Sequence, residues 1–292
     1  MNLLMVCTPI NRESAFESEL RYPLLAALLF RRTYPNASVF MGPTPDAKVP
    51  EYCKPFFKVL RFDFAANPLA MSRQMFYSAF CLSEHFTADT VMAGTDVLYG
   101  NKPFPELAAH KMLLSYRYHP SQPYCADLVV VRKDAGKFAA TFFDRMVKMI
   151  AFLPKKVRFF WADQIAMAIE VGKIMDDEFD GAMHRGPRYP DILLAPSDTY
   201  LYTPNDIFAS IRNEGPSFSK YRNDVQNTDQ LMRLMYSKYA IHFKGSRKPW
   251  FFALAYMAWR KGWIDPYAFG MDLHPRALFN GAFVEADEKV AA

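Results

Sequence analysis

The chain has 292 residues, 51% hydrophobic and 16% aromatic, enough to bury a large core in one α/β domain and to exclude disorder over most of its length. Its formal net charge of +5 is scattered over small clusters (Lys155, Lys156 and Arg158; Arg185 and Arg188; Lys244, Arg247 and Lys248), a mild bias that is no nucleic-acid signature and fits a polyanionic small ligand or no ligand at all. The four cysteines (Cys7, Cys53, Cys81 and Cys125) show no CxxC pair or metal-finger spacing. The N-terminus lacks a basic n-region, and no apolar run reaches membrane length.

These features lead to the expectation of a cytoplasmic protein without stable membrane insertion. In chain order, the apolar run Leu3–Cys7 reads as a buried parallel strand ended by Thr8-Pro9. A helix over Glu13–Arg32 follows, with Leu20, Leu24, Leu25 and Leu28 at helical spacing, broken by Pro35-Asn36. Strands are expected at Ser38–Met41 and Phe57–Phe62, a helix at Ser72–His85 and a strand at Thr90–Ala93. Alternating buried strands and helices predict βαβ units on a largely parallel sheet. Neither GxGxxG nor GxxxxGK[ST] is present, so the common phosphate loops are excluded.

Farther on, Lys111–Tyr118 and Ala126–Arg132 read as strands flanking the turn His119-Pro120-Ser121. Helices are expected at Ala135–Phe152 and Trp161–Gly172, strand-like pieces within Asp191–Thr203, and a polar loop at Glu214–Asp229. A strand at Tyr239–Phe243 precedes an apolar helix at Phe251–Arg260, and Glu285–Ala292 is a polar tail. The helix is flanked by Arg and Lys as interfacial helices are, but apolar residues surround it, which suits burial.

Three constellations carry chemistry. In Gly94-Thr95-Asp96 a carboxylate follows an apolar strand, where α/β sheets bind ligands and where a bound cation can bridge a diphosphate; an Asp there can also cap a turn. In the run His242 to Trp250, a His leaves a strand ahead of Gly245 and the cations Lys244, Arg247 and Lys248, which suit phosphate, or equally a solvated basic turn. Asp163-Gln164 opens a helix, as an N-cap would.

Together and in this order, these motifs resemble the retaining GT-A glycosyltransferases of the glycogenin and bacterial galactosyltransferase kind. That family carries a strand ending in Asp-x-Asp, an Asp-Gln pair at a helix start, and a His-x-x-Gly-x-x-Lys-Pro-Trp motif. His242, Gly245, Lys248, Pro249 and Trp250 fit the last motif position by position.

The resemblance implies an α/β, Rossmann-like GT-A domain with a mixed central sheet over residues 1–250, with a C-terminal helix and tail (251–292) packed on it. It implies a hexosyltransferase-like enzyme that moves a sugar from a nucleotide-diphosphate donor to an acceptor, with retention. The acceptor class stays open among saccharide, protein, lipid and nucleic acid. Asp163 and Gln164 would lie at the reaction centre. Thr8, Pro9, Asn11, Arg73, Thr95, Asp96, Gly245 and Lys248 would bind the donor. Asp96 and His242 would hold Mn²⁺ or Mg²⁺.

Two departures stand out. Gly94 occupies the place of the first acid, which implies a weak or incomplete metal site that Gly94→Asp would tighten. Cys125-Ala126-Asp127 stands in place of an Asn-Ala-Gly strand, which alters the acceptor side. Gly94 leaves open a catalytically degenerate sugar-nucleotide-binding protein as the alternative. A nucleotidyltransferase would want glycines in Thr8–Arg12, which has none.

Overall fold

The computed structural model describes residues 1–7, 13–43, 49–62, 69–116, 124–154, 162–171, 189–203, 232–243, 248–265, 267 and 278–279. Strand β1 (Asn2–Cys7) and helix α1 (Glu13–Thr33) match the reading from sequence, as does β4 (Thr90–Ala93). Strand β2 spans Val39–Pro43, and β3 shrinks to Lys58–Val59 at the sheet edge. Helix α2 (Leu69–Leu82) lies three residues earlier than its expected start at Ser72. The other elements are β5 (Val97–Tyr99), β6 (Met112–Tyr116), β7 (Tyr124–Val131), α3 (Gly136–Phe152), α4 (Ala162–Val171), β8 (Ile192–Pro196), the short α5 (Ser197–Tyr200), β9 (Ala240–His242) and α6 (Lys248–Arg260). The turn at residues 119–121, the polar loop at 214–229 and the tail at 285–292 lie outside the described residues.

Seven strands form one sheet in the order β3-β2-β1-β4-β7-β6-β8. The pairs β1–β2, β2–β3, β1–β4 and β6–β8 are parallel, whereas β7 runs antiparallel to both β4 and β6. The sheet is therefore mixed, with β7 the one reversed strand. A second sheet pairs β5 with β9, placing Val97 opposite His242.

Side chains along a strand alternate between the two faces. Leu3, Met5 and Cys7 of β1 enter a core with α1 and α6, whereas Leu4 and Val6 enter a core with α2, α3 and α4. The result is three layers, helix on sheet on helix, which explains why β1 is apolar from Leu3 through Cys7: both its faces are buried. Helix α6 is buried from Trp250 through Ala258 and packs in the first of these cores, so its apolar circumference serves packing. No described helix is long and apolar enough to cross a membrane. All four cysteines are buried and none forms a disulfide.

The reversal of β7 positions the site. Its N-terminal end lies beside the C-terminal end of β4, with Ala93 paired to Leu128. Toward β6 the register slips: Leu114 faces Val129 while Ser115 faces Cys125, leaving Ala126, Asp127 and Leu128 without β6 partners. The facing alternation slips with it. Cys125 and Leu128, three residues apart, enter the same core, as do Ala126 and Val129 in the other. A bulge of this kind re-aims a side chain at a strand end. Here the re-aimed residue is Asp127, the one charged residue of an otherwise apolar strand.

Candidate active site

Five polar side chains converge at this strand end: Arg73 from α2, Asp96 from the β4–β5 turn, Asp127 from β7, Asp163 from the first turn of α4, and His242 from the end of β9. Asp96 and His242 are joined by the small sheet. The Val97–His242 pairing puts them side by side, and the Phe243 N–H donates to the Asp96 carbonyl at 3.0 Å. His242 Nε2 lies 3.4 Å from Asp96 Oδ1 and 3.5 Å from Asp127 Oδ2, while its Nδ1 lies 3.8 Å from the sulfur of Cys125. Arg73 Nη1 donates to Asp127 Oδ1 at 2.8 Å and to Asp163 Oδ2 at 3.4 Å, and so ties α2 to β7 and α4. Asp163 also accepts from the Gln164 N–H at 2.9 Å.

Burial sets the electrostatics. His242 is buried, which by itself lowers its pKa, but the carboxylates of Asp127 and Asp96 raise it well above the ordinary range. Burial raises Asp127, yet the Arg73 guanidinium and His242 pull it down to about 2. Asp163 moves upward, because burial and the neighbouring Asp127 outweigh the pull of Arg73. Two neighbouring carboxylates are thus pulled in opposite directions, Asp127 downward and Asp163 upward.

Three carboxylates stand against the Arg73 guanidinium and a His242 that Asp127 and Asp96 hold toward its charged form, so a cation bound to that imidazole would displace its proton. Two carboxylate oxygens and an imidazole nitrogen form a donor set suited to Mn²⁺ or Mg²⁺. The residues present therefore fit a divalent cation. Cys125, Asp127 and His242 also offer one ligand atom each within 4.8 Å of one another.

Of the residues singled out from sequence, Arg73, Asp96, Asp163 and His242 meet in this cluster. Gln164 is buried beside it at the start of α4, and Thr95 lies half-buried in the turn before Asp96. Thr8, Pro9, Asn11 and Gly245 lie outside the described residues; Lys248 is placed as the first residue of α6 and its side chain is not described. Asp127 was read from sequence only as a change on the acceptor strand, but it stands at the centre of the cluster. The available signal was a lone carboxylate in the apolar run Tyr124–Val131.

Gly94 is explained by the same geometry. A Cβ there would meet Asp127 Oδ1 at 2.8 Å and Asp96 Oδ1 at 3.2 Å. The expectation that Gly94→Asp would supply a missing ligand is corrected accordingly, since an acid at 94 would press on a carboxylate that already fills the space.

No protein-family model and no curated protein matches the chain. Among solved structures, the chain is similar to a glycosyltransferase involved in the glycosylation of the major capsid of PBCV-1, with 12% identity and a TM-score of 0.44 over 87% of this chain and 99% of that one. It is also similar to the galactosyltransferase LgtC, with 12% identity and a TM-score of 0.45 over 89% of this chain and 99% of that one. To the glycosyltransferase GlyE of Streptococcus pneumoniae TIGR4 it shows 9% identity and a TM-score of 0.46, over 98% of this chain but 63% of GlyE, so it spans less than two thirds of that protein.

Proposed function

We propose that this chain is a glycosyltransferase that moves a sugar from a nucleotide-diphosphate donor to an acceptor, with retention of configuration. The observation that carries the reading is the convergence of Asp96, His242, Arg73 and Asp163 from four separate elements at the ligand-binding end of the sheet. Asp96 and His242 would hold a Mn²⁺ or Mg²⁺ ion, which would supply positive charge to offset that of the departing nucleotide.

The chain's own groups have separable tasks in this reading. Asp163 and Gln164 face the transferred sugar from the start of α4. Arg73 holds the Asp163 carboxylate in place through its 3.4 Å contact. Gly245 and Lys248 take the diphosphate, and Thr8, Pro9 and Asn11 border the base. The acceptor is a saccharide, protein, lipid or nucleic acid.

The test is to incubate purified protein with a panel of nucleotide sugars, with and without Mn²⁺, and follow release of the nucleoside diphosphate. Metal-stimulated release from one donor supports the reading. Donor binding by thermal shift with no release from any donor returns the sugar-nucleotide-binding alternative.

A further inference from the structure

We propose that the cation site of this chain draws a carboxylate from β7 in place of β4, so that Asp127 serves where Gly94 has none. The cation's role in sugar transfer rests on the function proposed above, but the ligand assignment stands on geometry alone.

Residues 94 and 127 face each other across the β4–β7 pair, and the Gly94 N–H donates to the Asp127 carbonyl at 3.3 Å. The volume that a side chain at 94 would fill is taken by the Asp127 carboxylate, whose Oδ1 lies 2.8 Å from the ideal Cβ position. The two positions are therefore mutually exclusive hosts for one acid, and glycine at 94 is what lets the acid stand at 127.

The bulge in β7 aims Asp127 at this point, and Arg73 fixes it by binding Oδ1 at 2.8 Å. The other oxygen, Oδ2, is left toward His242 Nε2 at 3.5 Å, with Asp96 Oδ1 3.4 Å from the same nitrogen. Adjacent donors in an octahedral shell with bonds of about 2.1 Å lie roughly 3 Å apart, so these atoms need to close by only about half an ångström.

Cys125 has a different part. Its sulfur lies 3.8 Å from Nδ1 of His242 and donates to Asp127 Oδ2 at 3.6 Å, so it borders both the imidazole and the carboxylate. With those two contacts Cys125 is assigned as a positioning residue that holds the ring and the acid. The site is an oxygen-rich one, suited to Mn²⁺ or Mg²⁺ more than to a thiolate-loving metal.

The experiment titrates Mn²⁺, alone and with inorganic pyrophosphate, into the full chain and reads the free-ion signal by electron paramagnetic resonance. Circular dichroism confirms the fold of each variant. Asp127→Asn is expected to weaken Mn²⁺ binding roughly 100-fold, and Gly94→Asp alone is expected not to tighten it. The exchange variant, Gly94→Asp with Asp127→Gly, is expected to regain most of the native affinity, and it keeps the question answerable should Asp127→Asn misfold.

The Co²⁺-loaded protein is expected to lack a thiolate-to-metal charge-transfer band. Native Mn²⁺ binding in Asp127→Asn, no recovery in the exchange variant, tighter binding in Gly94→Asp alone, a thiolate band, or no Mn²⁺ binding by the native chain would each overturn the proposal. No donor sugar is present in these measurements. Mn²⁺ binding as expected without turnover of any donor would therefore retire sugar transfer and leave the Asp127 assignment standing.

Discussion

Two buried acidic groups in this molecule are built differently. Between α3 and α4, Glu170 is buried and meets Arg145 at 3.2 Å and the hydroxyl of Tyr189, while Arg145 also donates to that hydroxyl at 2.7 Å. There one carboxylate is matched by one guanidinium and one phenol. At the strand ends, three carboxylates share one guanidinium and a histidine. The first group is closed on itself and holds two helices together. The second holds one carboxylate more than its guanidinium and imidazole match, and that excess is what a bound cation would use.

The sharpest way to break the contrast is to remove a ligand from the open group. Asp96→Ala and His242→Ala are each expected to cut sugar transfer by roughly 1,000-fold while the melting curve stays cooperative, as loss of a charge-stabilising group at a reaction centre does. Near-normal turnover in both variants would remove the proposed donor site.

A middle-sized effect is expected at Arg73. Arg73→Met leaves Asp127 and Asp163 without their shared cation and should lower stability by about 3–5 kcal/mol, measured by urea denaturation. Added Mn²⁺ should recover part of that loss, because it supplies positive charge to the same carboxylates. A denaturation midpoint equal to the native one would show that Arg73 does not hold the group together.

For the closed group, Glu170→Gln is expected to lose about 1–3 kcal/mol of stability and to leave the Mn²⁺ response and turnover unaltered. A changed metal affinity in that variant would mean that the two groups are not independent. The smallest effect concerns α6, whose residues from Trp250 to Ala258 are committed to the core. Mixed with anionic vesicles, the protein is expected to stay in the supernatant at all salt concentrations. Salt-sensitive co-sedimentation would instead indicate a lipid-facing surface.

Much of the frame was legible because burial on two faces leaves a plain mark. Leu3–Cys7 and Val91–Ala93 are apolar throughout, and each lies in a strand. Helix α2 was expected three residues late, although Asn67-Pro68 directly ahead of Leu69 is a helix-start signal in the sequence. The three residues of β5 were missed, since so short a strand has meaning only through its partner β9. Asp96, Asp163 and His242 were legible as motif residues, each at the end or start of an element. Asp127 was not, because its role depends on the reversal of β7, on a register slip against β6 and on the emptiness at Gly94. All three are relations between strands, and no spacing along one strand records them.

The pairing of β5 with β9 has a consequence for how the molecule matures. It joins Asp96 to a histidine encoded far downstream, through a ladder of only three residue pairs. Closing so long a loop for so little local gain is entropically unfavourable, so contacts of this type form late in folding. On the ribosome, a growing chain that has produced β1 through β5 and their helices already contains Asp96 but not its imidazole partner. The proposed cation site would then be completed only after the sheet that carries it has assembled.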